Sequence, residues 1–218
     1  NYDSIPDNVK WWLGEYAKEI SVVKKMQPQA RPTLAPSRTA QSGNTKSVED
    51  LFTDIPDLIT TKWDQWEPYN AAIPAIHHTN GDSIISPTGC VPTAIAQIMN
   101  YWHWPTTGVG SYSYTLDYGK LDEWSCGANP GDFDGWLPAS FSADFGSTTY
   151  DWANMADMYD GTNSQAQIDA VSTLMYHIGV AGYTLYGPGG SGGGIDRTME
   201  ALKQHFGYSD RITLLNRG

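Results

Sequence analysis

One cysteine stands where a side chain can become a nucleophile. Cys90 lies in the run Ser86-Pro87-Thr88-Gly89-Cys90-Val91-Pro92-Thr93-Ala94. Behind it Val91, Ala94, Ile95, Ile98, Met99 and Trp102 recur at i, i+3, i+4, i+7, i+8 and i+11, the spacing of one α-helical face. Pro92 has no N–H to give and fits a first turn, and Trp104-Pro105 marks the stop. A thiol at such a helix mouth faces unpaired backbone N–H groups and the positive end of the helix dipole. Both favour the thiolate, which is the reactive form. A buried structural cysteine also accounts for the local pattern, because free Cys is among the most buried residue types.

A second candidate is the run Gly187-Pro188-Gly189-Gly190-Ser191-Gly192-Gly193-Gly194. Gly187, Gly189 and Gly192 fit the dinucleotide pattern G-x-G-x-x-G, and Gly189 to Gly193 fit the serine-hydrolase pattern G-x-S-x-G. A run this rich in glycine matches many expressions by chance. Asp210, the acidic residue at dinucleotide spacing, precedes the next strand-like segment instead of ending it. Asp196 and His205 follow Ser191 in triad order but share its adjoining helix. The commoner meaning is a loop that lets a ligand backbone come close.

The histidines offer no metal site by pattern. His77 and His78 point apart in an extended chain, and neither H-E-x-x-H nor C-x-x-C occurs. His177 lies beside the apolar stripe of a helix, while His103 and His205 fall at helix C-termini, where positive charge is mildly favoured. None has an evident claim as the base for Cys90.

The elements that must hold these residues follow from periodicity. Pro6 starts a helix on which Val9, Trp12, Leu13, Tyr16, Ile20 and Val23 keep helical spacing. Residues 27–46 carry three prolines and small polar residues without period, the composition of an exposed linker open to proteolysis. Further on, Ser111 to Leu116 alternates as a strand, and a short helix is expected around Asn154-Met155. A helix over 164–178 puts Ile168, Val171, Leu174, Met175 and Ile178 inward. A strand over Tyr183–Tyr186 enters the glycine run. A helix over 195–206 buries Met199, Leu202 and Phe206, and Arg211–Leu215 reads as a final strand.

Composition narrows the class. At 218 residues there is room for one domain and an appendage. The net charge of −11 argues against nucleic acid and anionic membranes as main partners. No apolar run approaches the length of a membrane span. Two cysteines, Cys90 and Cys126, do not make a disulfide framework, and Cys126 reads as a free loop thiol.

The segment Gly89-Cys90-Val91-Pro92-Thr93-Ala94-Ile95-Ala96-Gln97-Ile98-Met99-Asn100-Tyr101 resembles the nucleophile segment of the streptopain family of secreted bacterial cysteine proteases. Gln65-Trp66-Glu67-Pro68-Tyr69-Asn70 is similar to that family's Gln-x-x-Pro-Tyr-Asn stretch. Tyr150-Asp151-Trp152, Leu174-Met175 with Gly179-Val180, Tyr186-Gly187-Pro188, Phe206-Gly207-Tyr208 and Asn216-Arg217-Gly218 recur in matching order, so the resemblance runs from about Trp63 to the end of the sequence.

The resemblance implies an α+β, papain-like fold, mainly its helical, cysteine-bearing half. It implies a cysteine endopeptidase precursor with no cofactor and no metal, secreted, and acting on protein or peptide substrates. Cys90 would be the nucleophile and Gln65 an oxyanion donor beside the Cys90 N–H. The alternative for Gln65 is a turn residue that fixes the packing of Trp63 and Tyr69. Gly190, Ser191 and Gly192 would bind the substrate backbone. Residues 1–26 would be the end of an inhibitory pro-segment, 27–47 the activation linker and 48–218 the N-terminal part of the catalytic domain. The family's catalytic His follows the Asn-Arg-Gly segment, where this sequence stops, so the His would come from a C-terminal segment of the same precursor. The competing expectation is a non-catalytic binding or inhibitor module on the same fold, with Cys90 structural.

Overall fold

The computed structural model describes residues 58–121 and 130–213. The expectations for the pro-segment, the linker and Cys126 fall outside the described residues. Within them, three helices and three two-stranded antiparallel sheets follow the order β1 (Ile76–His77), β2 (Ser83–Ile84), α1 (Cys90–Trp102), β3 (Ser111–Leu116), β4 (Ala139–Asp144), α2 (Gln165–Ala181), β5 (Leu185–Tyr186), β6 (Ser191–Gly192) and α3 (Ile195–Phe206). Single 3₁₀ turns intervene at Tyr118–Lys120, Pro130–Phe133 and Trp152–Asn154.

The core is organised around α2. Ser164 caps it in a reciprocal capping box with Gln167. From Ala170 to Val180 nearly every residue is buried, His177 included. A helix buried all round has neighbours on every side. Here α1 and α3 pack on it, and so does the β3–β4 hairpin. The sequence stripe through Val171, Leu174, Met175 and Ile178 is therefore correct but covers only part of the buried surface. The helix continues past 178 through Gly179, where an added Cβ would lie 2.0 Å from the Tyr186 hydroxyl oxygen. Only glycine permits this approach of β5 to the helix.

In the hairpin, Ser111 pairs with Asp144 and Leu116 with Ala139. Alternation sends Tyr114, Leu116, Phe141 and Ala143 inward and leaves serine and threonine on the outer face. The Tyr114 and Phe141 rings meet at 5.6 Å, and Phe141 meets Tyr186 at 4.7 Å.

Four local expectations need correction. The strand expected at Tyr183–Tyr186 is reduced to Leu185–Tyr186. Tyr183 adopts a left-handed φ of 57° and the Thr184 N–H bonds back to the Gly179 carbonyl, so the chain is still leaving α2 there. Arg211–Thr213 is not a strand: its N–H groups turn back onto Ser209, and residues 214–218 lie outside the described set. The helix expected around Asn154-Met155 is the single 3₁₀ turn Trp152–Asn154.

The fourth correction concerns α1. Its limits are as expected, ending at Trp102 with His103 in the left-handed region at φ 48°. Its buried face, however, is Pro92, Thr93, Ala96, Met99 and Asn100. Of the expected stripe, Met99 is buried and Val91 and Ile95 are half-buried, while Ala94, Ile98 and Trp102 face outward, Ile98 at 40% and Trp102 at 66% exposure. The small side chains of Thr93 and Ala96 let α1 approach α2 closely, and that packing outweighs the transfer preference of the larger residues.

Candidate active site

Cys90 is the first residue of α1, and its thiol is free and exposed. No side chain caps the helix. The N–H groups of Cys90 and Val91 therefore have no partner within the helix, as for any uncapped first turn. Gly89 occupies the cap position at φ 92°, a conformation that L side chains rarely adopt. The expectation of a structural cysteine required burial, and Cys90 is not buried.

The loop before Cys90 is held by buried polar groups. Asn70, 6% exposed, donates from Nδ2 to the Ser86 carbonyl at 3.2 Å. The Thr88 N–H donates to the Gln65 carbonyl at 2.9 Å. The Thr88 and Thr93 hydroxyl oxygens are 2.8 Å apart, and Thr93 Oγ1 donates to the Gly89 carbonyl at 2.9 Å. The Thr93 N–H reaches the same carbonyl at 3.2 Å. Buried polar groups need such partners, because each one left unpaired costs about 1–3 kcal/mol.

Gln65 is brought to this loop through its own backbone. It sits between two anchors, Trp63, whose Nε1 donates to the Ala156 carbonyl at 2.8 Å, and buried Tyr69. The Gln65 side chain is half-buried and makes no hydrogen bond among the described residues.

The glycine run approaches the same helix mouth. Its Ser191–Gly192 portion is β6, paired antiparallel with β5, and it packs against α1. An added Cβ on Gly89 would lie 3.2 Å from the Ser191 carbonyl oxygen. Gly190 has open space around it. The Ser191 hydroxyl is buried and has no hydrogen-bond partner among the described residues. Asp196 is exposed on α3, and His205 Nδ1 donates to the Val109 carbonyl at 3.0 Å, so Ser191, Asp196 and His205 form no triad.

No histidine hydrogen-bonds the Cys90 thiol, and His78, His103, His177 and His205 have partners elsewhere. His77 is an exposed strand residue. His78 accepts the Asn80 N–H at Nδ1 and donates from Nε2 to the Asp134 carbonyl at 3.0 Å. His103 caps α1 and stacks on Trp152. His177 meets the Tyr150 hydroxyl at 3.1 Å. Burial pushes its imidazole down to about 4, opposed by the Asp144 carboxylate. Among the described residues no cluster of His, Cys, Asp or Glu could hold a metal ion.

Sequence reasoning overlooked Thr88, Thr93 and Asn70 as parts of the site. A signal existed for Thr93: a threonine four residues after the cap can return its hydroxyl to the cap carbonyl.

The sequence model of the peptidase C10 family matches residues 63–218. Streptopain of Streptococcus pyogenes serotype M1 is 29% identical, over 97% of this chain and 49% of its own length. The thiol protease/hemagglutinin PrtT of Porphyromonas gingivalis is 28% identical, over 98% of this chain and 22% of its own. Among solved structures, active wild-type interpain A cysteine protease of Prevotella intermedia is 41% identical with a TM-score of 0.53, covering 69% of this chain and 54% of that one. A prointerpain A fragment from the same organism is 36% identical with a TM-score of 0.55, covering 93% and 56%. The chain thus spans about half the length of streptopain. The fold is papain-like and mixes helices with sheets.

Proposed function

This chain belongs to the peptidase C10 family, and we propose that it is the nucleophile-bearing part of a secreted cysteine endopeptidase precursor. The observation that carries the proposal is the exposed Cys90 thiol at an uncapped helix N-terminus, with Gln65 tied to the same loop through Thr88.

In this reading the Cys90 thiolate attacks the carbonyl carbon of a peptide bond. The oxygen gains negative charge in the tetrahedral intermediate, and the Cys90 N–H and the Gln65 side-chain amide donate to it. Collapse expels the amine, which takes a proton from a histidine, and leaves a thioester acyl-enzyme. Water, activated by the same histidine, then hydrolyses the thioester and releases the carboxylate product. The backbone from Gly190 through β6 to Gly192 binds the substrate main chain, since nothing but hydrogen atoms stands on Gly190 and Gly192.

The histidine comes from outside the present sequence, from a C-terminal segment of the same precursor. The engagement of His78, His103, His177 and His205 elsewhere supports this. So does the outer face of α1, where Cys90, Ala94, Ile98, Tyr101 and Trp102 form one exposed, largely apolar side. A segment packed on that side would stand over the thiol. We assign residues 1–26 to the end of an inhibitory pro-segment, 27–47 to the activation linker and 48–218 to the N-terminal part of the catalytic domain. The wider coverage of this chain by the interpain pro form than by the active enzyme supports the assignment.

The test is peptide hydrolysis by the full-length product and its Cys90→Ala variant. Loss of turnover in the variant is expected. Retained turnover removes Cys90 from the chemistry, and an inactive wild-type with an inert thiol favours the non-catalytic module.

A further inference from the structure

Resting on that assignment of Cys90 and Gln65, we propose that the buried hydroxyl pair Thr88–Thr93 is a positioning device that aims both oxyanion donors from beneath.

A threonine hydroxyl carries one proton. The Thr93 proton goes to the Gly89 carbonyl, 2.9 Å away. The contact of 2.8 Å between the hydroxyls is then made by the Thr88 proton, with Thr93 Oγ1 accepting. The Gly89 carbonyl thereby accepts twice from one residue, from the hydroxyl and the N–H of Thr93, and is drawn down into the helix. The Gly89–Cys90 peptide is trans, since among the described residues the only cis bonds precede Pro68 and Pro105. In a trans peptide the N–H points opposite to the C=O. Holding the carbonyl inward therefore holds the Cys90 N–H outward, into the space before the thiol.

The other end of the same chain of bonds is Gln65. The Thr88 N–H donates to the Gln65 carbonyl at 2.9 Å, so the backbone that carries one donor is fastened to the residue whose side chain orients the other. Thr88 is fully buried and Thr93 is 7% exposed, so water does not compete for these bonds. A hydroxyl pair serves here where an apolar pair would pack equally well but give the Gly89 carbonyl no second donor.

The experiment uses the matured full-length enzyme with the variants Thr93→Val, Thr93→Ser and Thr88→Val/Thr93→Val, and reads kcat, KM and Tm. Thr93→Val keeps the shape and the backbone bond to the Gly89 carbonyl, removes the second bond to that carbonyl, and leaves the Thr88 hydroxyl unpaired. Its kcat should fall about tenfold with KM within about twofold, as for a donor misaligned in the transition state. Thr93→Ser should regain most of the lost kcat. The double variant has no unpaired hydroxyl, so its Tm should rise above that of Thr93→Val while kcat stays low. A purely structural pair would instead make kcat follow Tm, and that result overturns the proposal. It is also overturned if Thr93→Val keeps wild-type kcat while Cys90→Ala is inactive. Turnover in Cys90→Ala would show that the underlying assignment itself has failed.

Discussion

Gly89 and Ser191 meet backbone to backbone: a methyl group on Gly89 would lie 3.2 Å from the Ser191 carbonyl oxygen. This contact joins the residue before the nucleophile to the strand that would receive substrate, and a side chain at Gly89 would fit only if that strand gave way slightly.

Gly89→Ala should therefore do two kinds of damage. The φ of 92° is costly for any L side chain, of order 1–3 kcal/mol, and the new Cβ must displace β6. Thermal unfolding should show the first effect. The displacement needed at β6 is small, so kcat/KM should fall by several-fold, less than the roughly 100-fold expected of a full ångström. A fully active, stable variant would mean that β6 does not frame the site.

Gln65→Ala should separate catalysis from stability. Its side chain makes no hydrogen bond among the described residues, so Tm should move little. Loss of an oxyanion donor lowers kcat roughly 100- to 1000-fold. If Tm falls and kcat holds, Gln65 is a turn residue supporting Trp63 and Tyr69.

How much of this was legible beforehand differs by residue. The limits of α1 follow from Pro92 and Pro105, which punctuate locally. Its buried face did not follow, because Ile98 and Trp102 outweigh Thr93 and Ala96 on any hydropathy reading, whereas close packing on α2 favours the small residues. The helical period through Ile178 gives no sign that α2 continues to Ala181, because Gly179 resembles a stop in sequence while in the fold its missing Cβ makes room for the Tyr186 hydroxyl. Cys90, Gln65 and the glycine run could be singled out by motif. The bonds that bring them together run through Thr88, Thr93 and Asn70, and such contacts depend on tertiary approach rather than on spacing.

His177 should make stability depend on pH. Its imidazole is held down to about 4 in the fold, against an unfolded value of about 6.5. Between these values the unfolded chain binds a proton that the native chain excludes. The stabilisation is thus complete above about pH 6.5 and lost as pH falls toward 4, by about 3 kcal/mol. Denaturant melts across this range should show a slope that His177→Gln reduces. Equal slopes would mean that His177 is not held neutral.

The outer side of α1 should behave as covered surface in the full-length protein. Exposed substitutions usually change stability by no more than about 0.5 kcal/mol. Trp102→Glu should cost more than about 2 kcal/mol there, because a charge would be buried without a partner. A neutral effect would leave the apolar side of α1 solvent-facing and remove one support for a completing segment.

The central claim is that Cys90 is the nucleophile, and covalent trapping tests it most directly. The full-length product would be treated at neutral pH with a peptidyl electrophile, with and without prior unfolding, and the modified cysteine mapped by mass spectrometry. The account predicts one equivalent of label on Cys90 in the native protein, lost on unfolding, with Cys126 unlabelled. Labelling of Cys126 instead, or labelling of Cys90 no faster in the native than in the unfolded chain, would contradict it.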